Sequence, residues 1–191
     1  MTSIIVEGTV VMEPEFSHES HGEKFYKTCV GCFRTSGASD FIPVIVAETF
    51  VKDFEVLKDV RFYGEVRSRN EEGHLNLYVF PMGIALELTG QHQNQVNIDG
   101  FICKKPVYRE TPLSREITDV LLASNRGKVF RSDYIPCICW GRNAVRVGLY
   151  EVGTRLVCTG RFQSRTYQKK IDGSVVDMTA YEISLSDARL E

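Results

Sequence analysis

Apolar and polar residues alternate with a period of two through most of this chain, in short runs broken by turn residues. Alternation of that kind puts successive side chains on opposite faces of an extended strand, so it predicts β-structure. In the C-terminal half the runs fall near Val96–Cys103, Ile117–Ser124, Tyr134–Trp140, Leu156–Ser164 and Met178–Leu185. Asp172-Gly173, and Asn70 to Gly73 earlier in the chain, read as hairpin turns. Between the third and fourth runs, "GRNAVRVGLYEVGT" leaves room for a short helix. The matching stretch of the N-terminal half, "ETFVKDFEVLKDV", sets Phe50, Phe54 and Leu57 on one stripe and predicts a clearer helix there.

Two runs carry nearly the same text. "SDFIPVIVAE", from Ser39 to Glu48, returns as "SDYIPCICWG", from Ser132 to Gly141. Upstream, "IIVEGTVV" with Gly8 answers "VNIDGFIC" with Gly100, and downstream "FYGEVRSR" with Gly64 answers "CTGRFQSR" with Gly160. The glycine-to-proline spacing is 35 residues in one half (Gly8 to Pro43) and 36 in the other (Gly100 to Pro136). Three collinear anchors at matched spacing mark an internal duplication. Five strands with one helix after the third, in about 95 residues, is the layout of an OB-fold barrel. The expected fold is therefore all-β: two tandem OB-folds, each a five-stranded Greek-key barrel with a short helix between strands three and four. The expected boundaries are a first OB-fold over 1–88, a polar linker over 89–94 and a second OB-fold over 95–191.

Composition narrows the class. With 43% hydrophobic and 25% charged residues the chain has material for ordinary globular cores. Its start, "MTSIIVEGTVV", has no basic leader and reads as a strand, and no stretch approaches membrane-span length. Cys103, Cys137, Cys139 and Cys158 sit in strand-like apolar runs, where cysteine acts as a small hydrophobe, so a reduced cytoplasmic setting is expected. Cys29 and Cys32 have the spacing of half a zinc site without a second pair, and His18, His21, His74 and His92 lie in polar stretches. Phosphate-loop and nucleophile–base signatures are missing too. The expectation is a non-enzyme without catalytic residues, metal, cofactor, membrane partner or small-molecule substrate.

Charge separates the halves. Met1 to Gly90 holds 8 basic and 14 acidic residues, net −6, and Gln91 to Glu191 holds 15 and 11, net +4. The positive half is the one that could meet phosphates. At strand period, Tyr134, Pro136, Ile138 and Trp140 share one face, and Ile135, Cys137 and Cys139 share the other. Both faces are apolar, so one is core; the second is either a subunit contact or a platform on which bases stack. The surrounding residues favour the platform. "GRFQSRTYQKK" alternates Arg161, Gln163 and Arg165 and then delivers Tyr167, Lys169 and Lys170. "CKKPVYRETPLSRE" places Lys104, Lys105, Tyr108, Arg109 and Arg115 in the first inter-strand loop, and "SNRGKVFR" adds Arg126, Lys128, Phe130 and Arg131. A lone Lys or Arg is usually a solvated surface charge, but four segments with the same mixture of rings and cations suit single-stranded nucleic acid.

The first copy is an internal control. Trp140 is answered by Ala47, Arg142 by Thr49, Arg161 by Glu65 and Lys104-Lys105 by Met12-Glu13, while Tyr167 to Lys170 meet roughly Glu71 and Glu72. Fold-making positions persist and ring-and-cation positions do not.

On "NIDGFICKKPVYRETPLSREITDVLLASNR", "SDYIPCICWGRNA" and "GRFQSRTY", the second half resembles the bacterial single-stranded DNA-binding proteins over most of residues 94 to 185. The first half resembles them weakly, through "SDFIPVIV" and "GEVRSR". The resemblance implies an OB-fold that wraps single-stranded DNA in replication, repair and recombination without sequence preference. By position it implies stacking on Tyr134, Trp140 and Tyr167, with phosphate contacts from Arg142, Arg161, Arg165 and Lys169. Lys104, Lys105, Arg109 and Arg126 complete the expected nucleic-acid-binding set. Four OB domains per particle are usual in that family, so the expected assembly is a homodimer of this two-barrel chain. The family's Gly/Pro/Gln-rich extension with an acidic tip is not expected, since the chain stops at "SLSDARLE". The competing expectation is a protein-interaction or replication-restart module on the same fold, with weak or no DNA binding and Trp140 at a subunit contact.

Overall fold

The computed structural model describes residues 1–71, 73–127, 131–171 and 174–191, leaving aside the side chains of residues 169–171. The architecture is all-β, as the alternation predicts. The N-terminal half contributes β1 (Thr2–Ser20), β2 (Glu23–Phe33), β3 (Ser39–Ala47), β4 (Asp59–Glu71) and β5 (His74–Ile84). The C-terminal half contributes β6 (Gln93–Ile102), β7 (Val107–Glu110), β8 (Glu116–Asn125), β9 (Ser132–Trp140), β10 (Arg155–Ile171) and β11 (Ser174–Leu190), with helix α1 (Arg142–Gly148) after β9. Pairing runs β1–β2–β3–β5–β4 and back to β1, closing five strands on themselves. Strands β6–β8–β9–β11–β10 close in the same way, and β7 rides on the outer edge of β8.

Each barrel follows from its alternation. On β3 Ile42, Val44 and Val46 point inward, and on β9 Ile135, Cys137 and Cys139 do; all six are buried. Phe54, Phe62 and Phe162 are the largest fully buried side chains, and each contributes about 1.5–3 kcal/mol by leaving water. Gly64 and Gly160 sit at matching register shifts in the last hairpin of their barrels. A Cβ at Gly64 would collide with the Phe80 carbonyl, and one at Gly160 with the Ser184 carbonyl, so these crossings require glycine.

Three local expectations change. Among the described residues the N-terminal half holds only a 3-10 helix, Glu48–Asp53, and the regular helix belongs to the C-terminal half. Phe54 is buried as its stripe predicts, but Leu57 is 82% exposed with φ +65°. Leu57 N–H donates to the Val10 carbonyl and Val10 N–H to the Lys58 carbonyl, both at 2.9 Å, which pulls the segment into the barrel wall before a second helical turn forms. Secondly, "VYRE" is strand β7 and not loop, so Tyr108 and Arg109 are strand residues. Thirdly, β10 and β11 run well past Ser164 and Met178, making a long hairpin; its Asp172-Gly173 turn lies outside the described residues. Among the described residues no helix is long and apolar enough to cross a membrane.

The halves share one hydrogen-bonded sheet through β1 and β6, which pair antiparallel from Thr2↔Ile98 to Glu7↔Gln93. Because Gly8 corresponds to Gly100, Ile4 corresponds to Val96, and these two residues face each other. A local two-fold axis therefore passes between them. Thr2 Oγ1 donates to the Val66 carbonyl (2.9 Å) and accepts from Val66 N–H (3.1 Å). Its counterpart Asn94 does the same for Phe162, at 2.7 and 2.8 Å.

Candidate nucleic-acid interface

Strand β9 turns Ile135, Cys137 and Cys139 into the core, and the opposite face carries Tyr134 at one end and Trp140 at the other. Six residues of strand separate those rings by about 20 Å. Tyr134 is 47% exposed and Trp140 37% exposed. Trp140 Nε1–H donates to Ser184 Oγ on β11 at 3.1 Å, which fixes one edge of the indole and leaves a face open. The ring stands between two clefts, one of about 910 Å³ and one of about 420 Å³.

The larger cleft gathers Arg161 and Arg165 from β10, Arg115 from the β7–β8 loop and Arg34 from the N-terminal half around Trp140. Gln163 Nε2 donates to Glu182 (2.9 Å), and Arg165 Nε lies 3.9 Å from the same carboxylate. The Arg165 guanidinium also stands 5.7 Å over the ring of Tyr167, so ring and cation form one unit on the long hairpin. Arg161 is held differently. Its Nη2 donates to Gln163 (2.9 Å), while its Nε is buried without a hydrogen-bond acceptor. Burial, and next the neighbouring Arg34 guanidinium, lower the Arg161 pKa, and Asp40 opposes them.

The remaining sequence-predicted residues divide into three groups. Arg142, the first residue of α1, and Lys104 and Lys105, between β6 and β7, are exposed and make no side-chain hydrogen bond or ion pair among the described residues. Arg109 pairs along the surface with Asp119, Nε to Oδ2 at 2.8 Å. Arg126 turns inward: it forks onto Asp133 at 2.7 and 2.6 Å and reaches the Ser68 carbonyl of β4 at 3.3 Å. The side chain of Lys169 lies outside the described residues, as do Lys128 and Phe130.

Sequence reasoning did not single out Arg34 or the two motif aspartates. Asp40 and Asp133 are 1% and 3% exposed, and each is gripped by the arginine six or seven residues ahead of it, Arg34 and Arg126. That shared Arg…Ser-Asp spacing is the signal that could have found them. The repeated motif also binds across the two-fold axis. Phe41 N–H donates to Ser164 Oγ (3.0 Å), and Tyr134 N–H donates to Ser68 Oγ (2.8 Å). Each half's Ser-Asp motif thus rests on the Ser of the other half's Gly-x-x-x-Ser-Arg.

Comparison with known proteins places this geometry. A model of the Single-strand binding protein family matches residues 93–190. Single-stranded DNA-binding protein B of Bacillus subtilis (strain 168) is 32% identical over 84 residues, 40% of this chain and 74% of that protein. The chain belongs to the single-strand binding protein family. Two crystal structures of the single-stranded DNA-binding protein from Thermus aquaticus share the fold. The wild type superimposes with TM-score 0.78 at 15% identity, covering 100% of this chain and 93% of that one. A deletion variant gives 0.74 at 17%, covering 100% and 94%. The family model matches the second half, whereas the fold likeness spans both.

Proposed function

We propose that this chain is a sequence-tolerant single-stranded DNA-binding protein of replication, repair and recombination, made of two tandem OB-folds. In this reading 1–88 is a degenerate barrel, 89–94 a linker and 95–191 the principal DNA-binding barrel. Bases stack on Tyr134, Trp140 and Tyr167, and Arg142, Arg161, Arg165, Lys169, Lys104 and Lys105 meet phosphates. Arg126 is committed to the buried Asp133, so we assign it a positioning role, while Arg109, half exposed beside Asp119, stays among the phosphate contacts. The observation that carries the reading is the open face of Trp140 beside a cleft lined by arginines, in a chain of this family. A ring-and-cation groove accepts any base, because every base has a π-face and every nucleotide a phosphate.

The single tryptophan reports directly. Titration with oligo(dT) quenches Trp140 fluorescence saturably, and binding weakens with salt by about 0.7 log units per log unit for each phosphate contact. Trp140→Ala, followed by anisotropy of labelled oligo(dT), weakens binding by about 1–3 kcal/mol. Absence of quenching at low salt would refute the reading. We further propose that two chains assemble, giving four barrels.

A further inference from the structure

The local two-fold axis makes two junctions between the halves that should be alike, and their charges differ. At one, Arg126 (+), Asp133 (−), Glu65 (−) and Arg67 (+) balance: Glu65 accepts from Arg67 Nε and Nη2 at 3.2 and 3.1 Å. Glu65 is near enough to Arg126 to be among the smaller causes of its raised pKa, the largest being the hydrogen bonds to Asp133. At the other, Arg34 (+), Asp40 (−), Arg161 (+) and Gln163 leave a surplus positive charge. Arg34 forks onto Asp40, and Arg161 stands 3.8 Å from the same carboxylate, too far for a hydrogen bond. One buried carboxylate thus serves two guanidiniums, and a buried N–H is left over.

An orphan buried donor and an uncompensated charge both carry a free-energy cost. The balanced junction shows that the fold does not require that cost. The unbalanced one also borders the large cleft, whose lining includes Arg34, Ser39, Arg161 and Ser164 together with Trp140. An anion entering from the cleft would supply the missing charge at the exposed part of the Arg161 side chain.

We propose that the Arg34–Arg161 junction is a phosphodiester-binding position for a DNA single strand passing from the C-terminal barrel onto the N-terminal one. The half that carries no counterpart of Trp140 then still provides a wall of the nucleic-acid track and one of its cations. This rests on the DNA-binding reading above and adds to it a position that the C-terminal half alone cannot form.

The test is the variant Arg34→Gln, which removes the surplus charge, leaves Asp40 to the neighbouring Arg161 and keeps Trp140 as reporter. With oligo(dT) long enough to span both halves, the wild type shows saturable quenching. The variant binds roughly tenfold more weakly, and its salt slope is smaller by about 0.7. Unchanged affinity and slope in a wild type that binds overturn the junction while leaving the DNA-binding reading intact. A wild type that does not bind overturns both. Should that variant not fold, Arg34→Met keeps the aliphatic packing of the side chain and removes the same charge. Its loss of affinity and slope supports the proposal, and wild-type binding by it overturns the proposal.

Discussion

Arg126 and Arg165 look interchangeable in the sequence, each a cation beside an aromatic in the basic half, yet their surroundings assign opposite work. Arg126 is mostly covered and neutralises a buried carboxylate that also accepts from the Ser68 amide, 2.7 Å away, and the Ser68 hydroxyl, 3.4 Å away. Its removal strands Asp133 without a counter-ion, so Arg126→Ala should cost roughly 3–5 kcal/mol of stability. The salt dependence of DNA binding should stay as it was. Arg165 is more than half exposed, and its nearest carboxylate is 3.9 Å off. Arg165→Ala should cost under about 1 kcal/mol of stability and lower the salt slope by about 0.7. Denaturant unfolding and fluorescence titration of the two variants separate these effects. A large slope change for Arg126→Ala would return it to the phosphate-contacting set.

At the scale of elements, what alternates with period two was legible and what depends on distant partners was not. β3 and β9 can be read directly from Ile42, Val44 and Val46 and from Ile135, Cys137 and Cys139 because both strands bury one face. β7 escapes that logic: its four residues are all exposed, so nothing alternates, and only hydrogen bonding to β8 makes it a strand. The Phe50–Phe54–Leu57 stripe misleads because Val10, more than forty positions away in sequence, takes the backbone groups of Leu57 and Lys58. The candidate site divides likewise. Trp140 and Arg161 stand out by contrast with Ala47 and Glu65 of the first copy, whereas Arg165 is matched by Arg69, and the part Arg34 plays at the cleft shows only when β3 and β10 meet. The segment joining the halves shows the same dependence. Glu7, buried in β1, accepts from Thr89 N–H (2.8 Å), Thr89 Oγ1 (2.8 Å) and Gly90 N–H (2.9 Å), with Arg61 at 3.4 Å. Burial pushes its pKa upward, but those donors and Arg61 outweigh it and hold the pKa below the ordinary 4.5. A carboxylate lowered by folding contributes stability above its unfolded pKa and loses it as pH falls through the folded one. Thermal stability should therefore decline on acidification below about pH 4.5, and Glu7→Gln, less stable at neutral pH, should decline less. Parallel melting curves of the two proteins across pH 3–7 would discard this anchoring role.

For the whole molecule, the decisive feature is that the two barrels already meet about a two-fold axis within one chain. The Ile4–Val96 pairing and the Thr2 and Asn94 clamps occupy β1 and β6, and the reciprocal Ser–motif contacts span the axis, so a second chain needs another surface. The outer face of the continuous sheet offers one. Ile5 lies opposite Tyr63 on β4 and Gln95 on β6, and the same face continues through Phe101 to Val157; Ile5, Tyr63, Phe101 and Val157 are all exposed. These apolar side chains, with the Asp99–Arg155 ion pair among them, suit an isologous contact, in which each residue meets its equivalent's surroundings. Light scattering of the proposed dimer should give twice the chain's 21.7 kDa. Ile5→Asp combined with Val157→Asp should reduce that to a single chain, because a charge buried against its own copy lacks a partner. Both side chains point away from the barrel cores, so the variant should keep its melting temperature within a few degrees and still quench Trp140 on adding oligo(dT). A wild type that scatters as one chain at tens of micromolar would remove the dimer without touching the groove, since Arg34, Trp140 and Arg161 are brought together within a single chain.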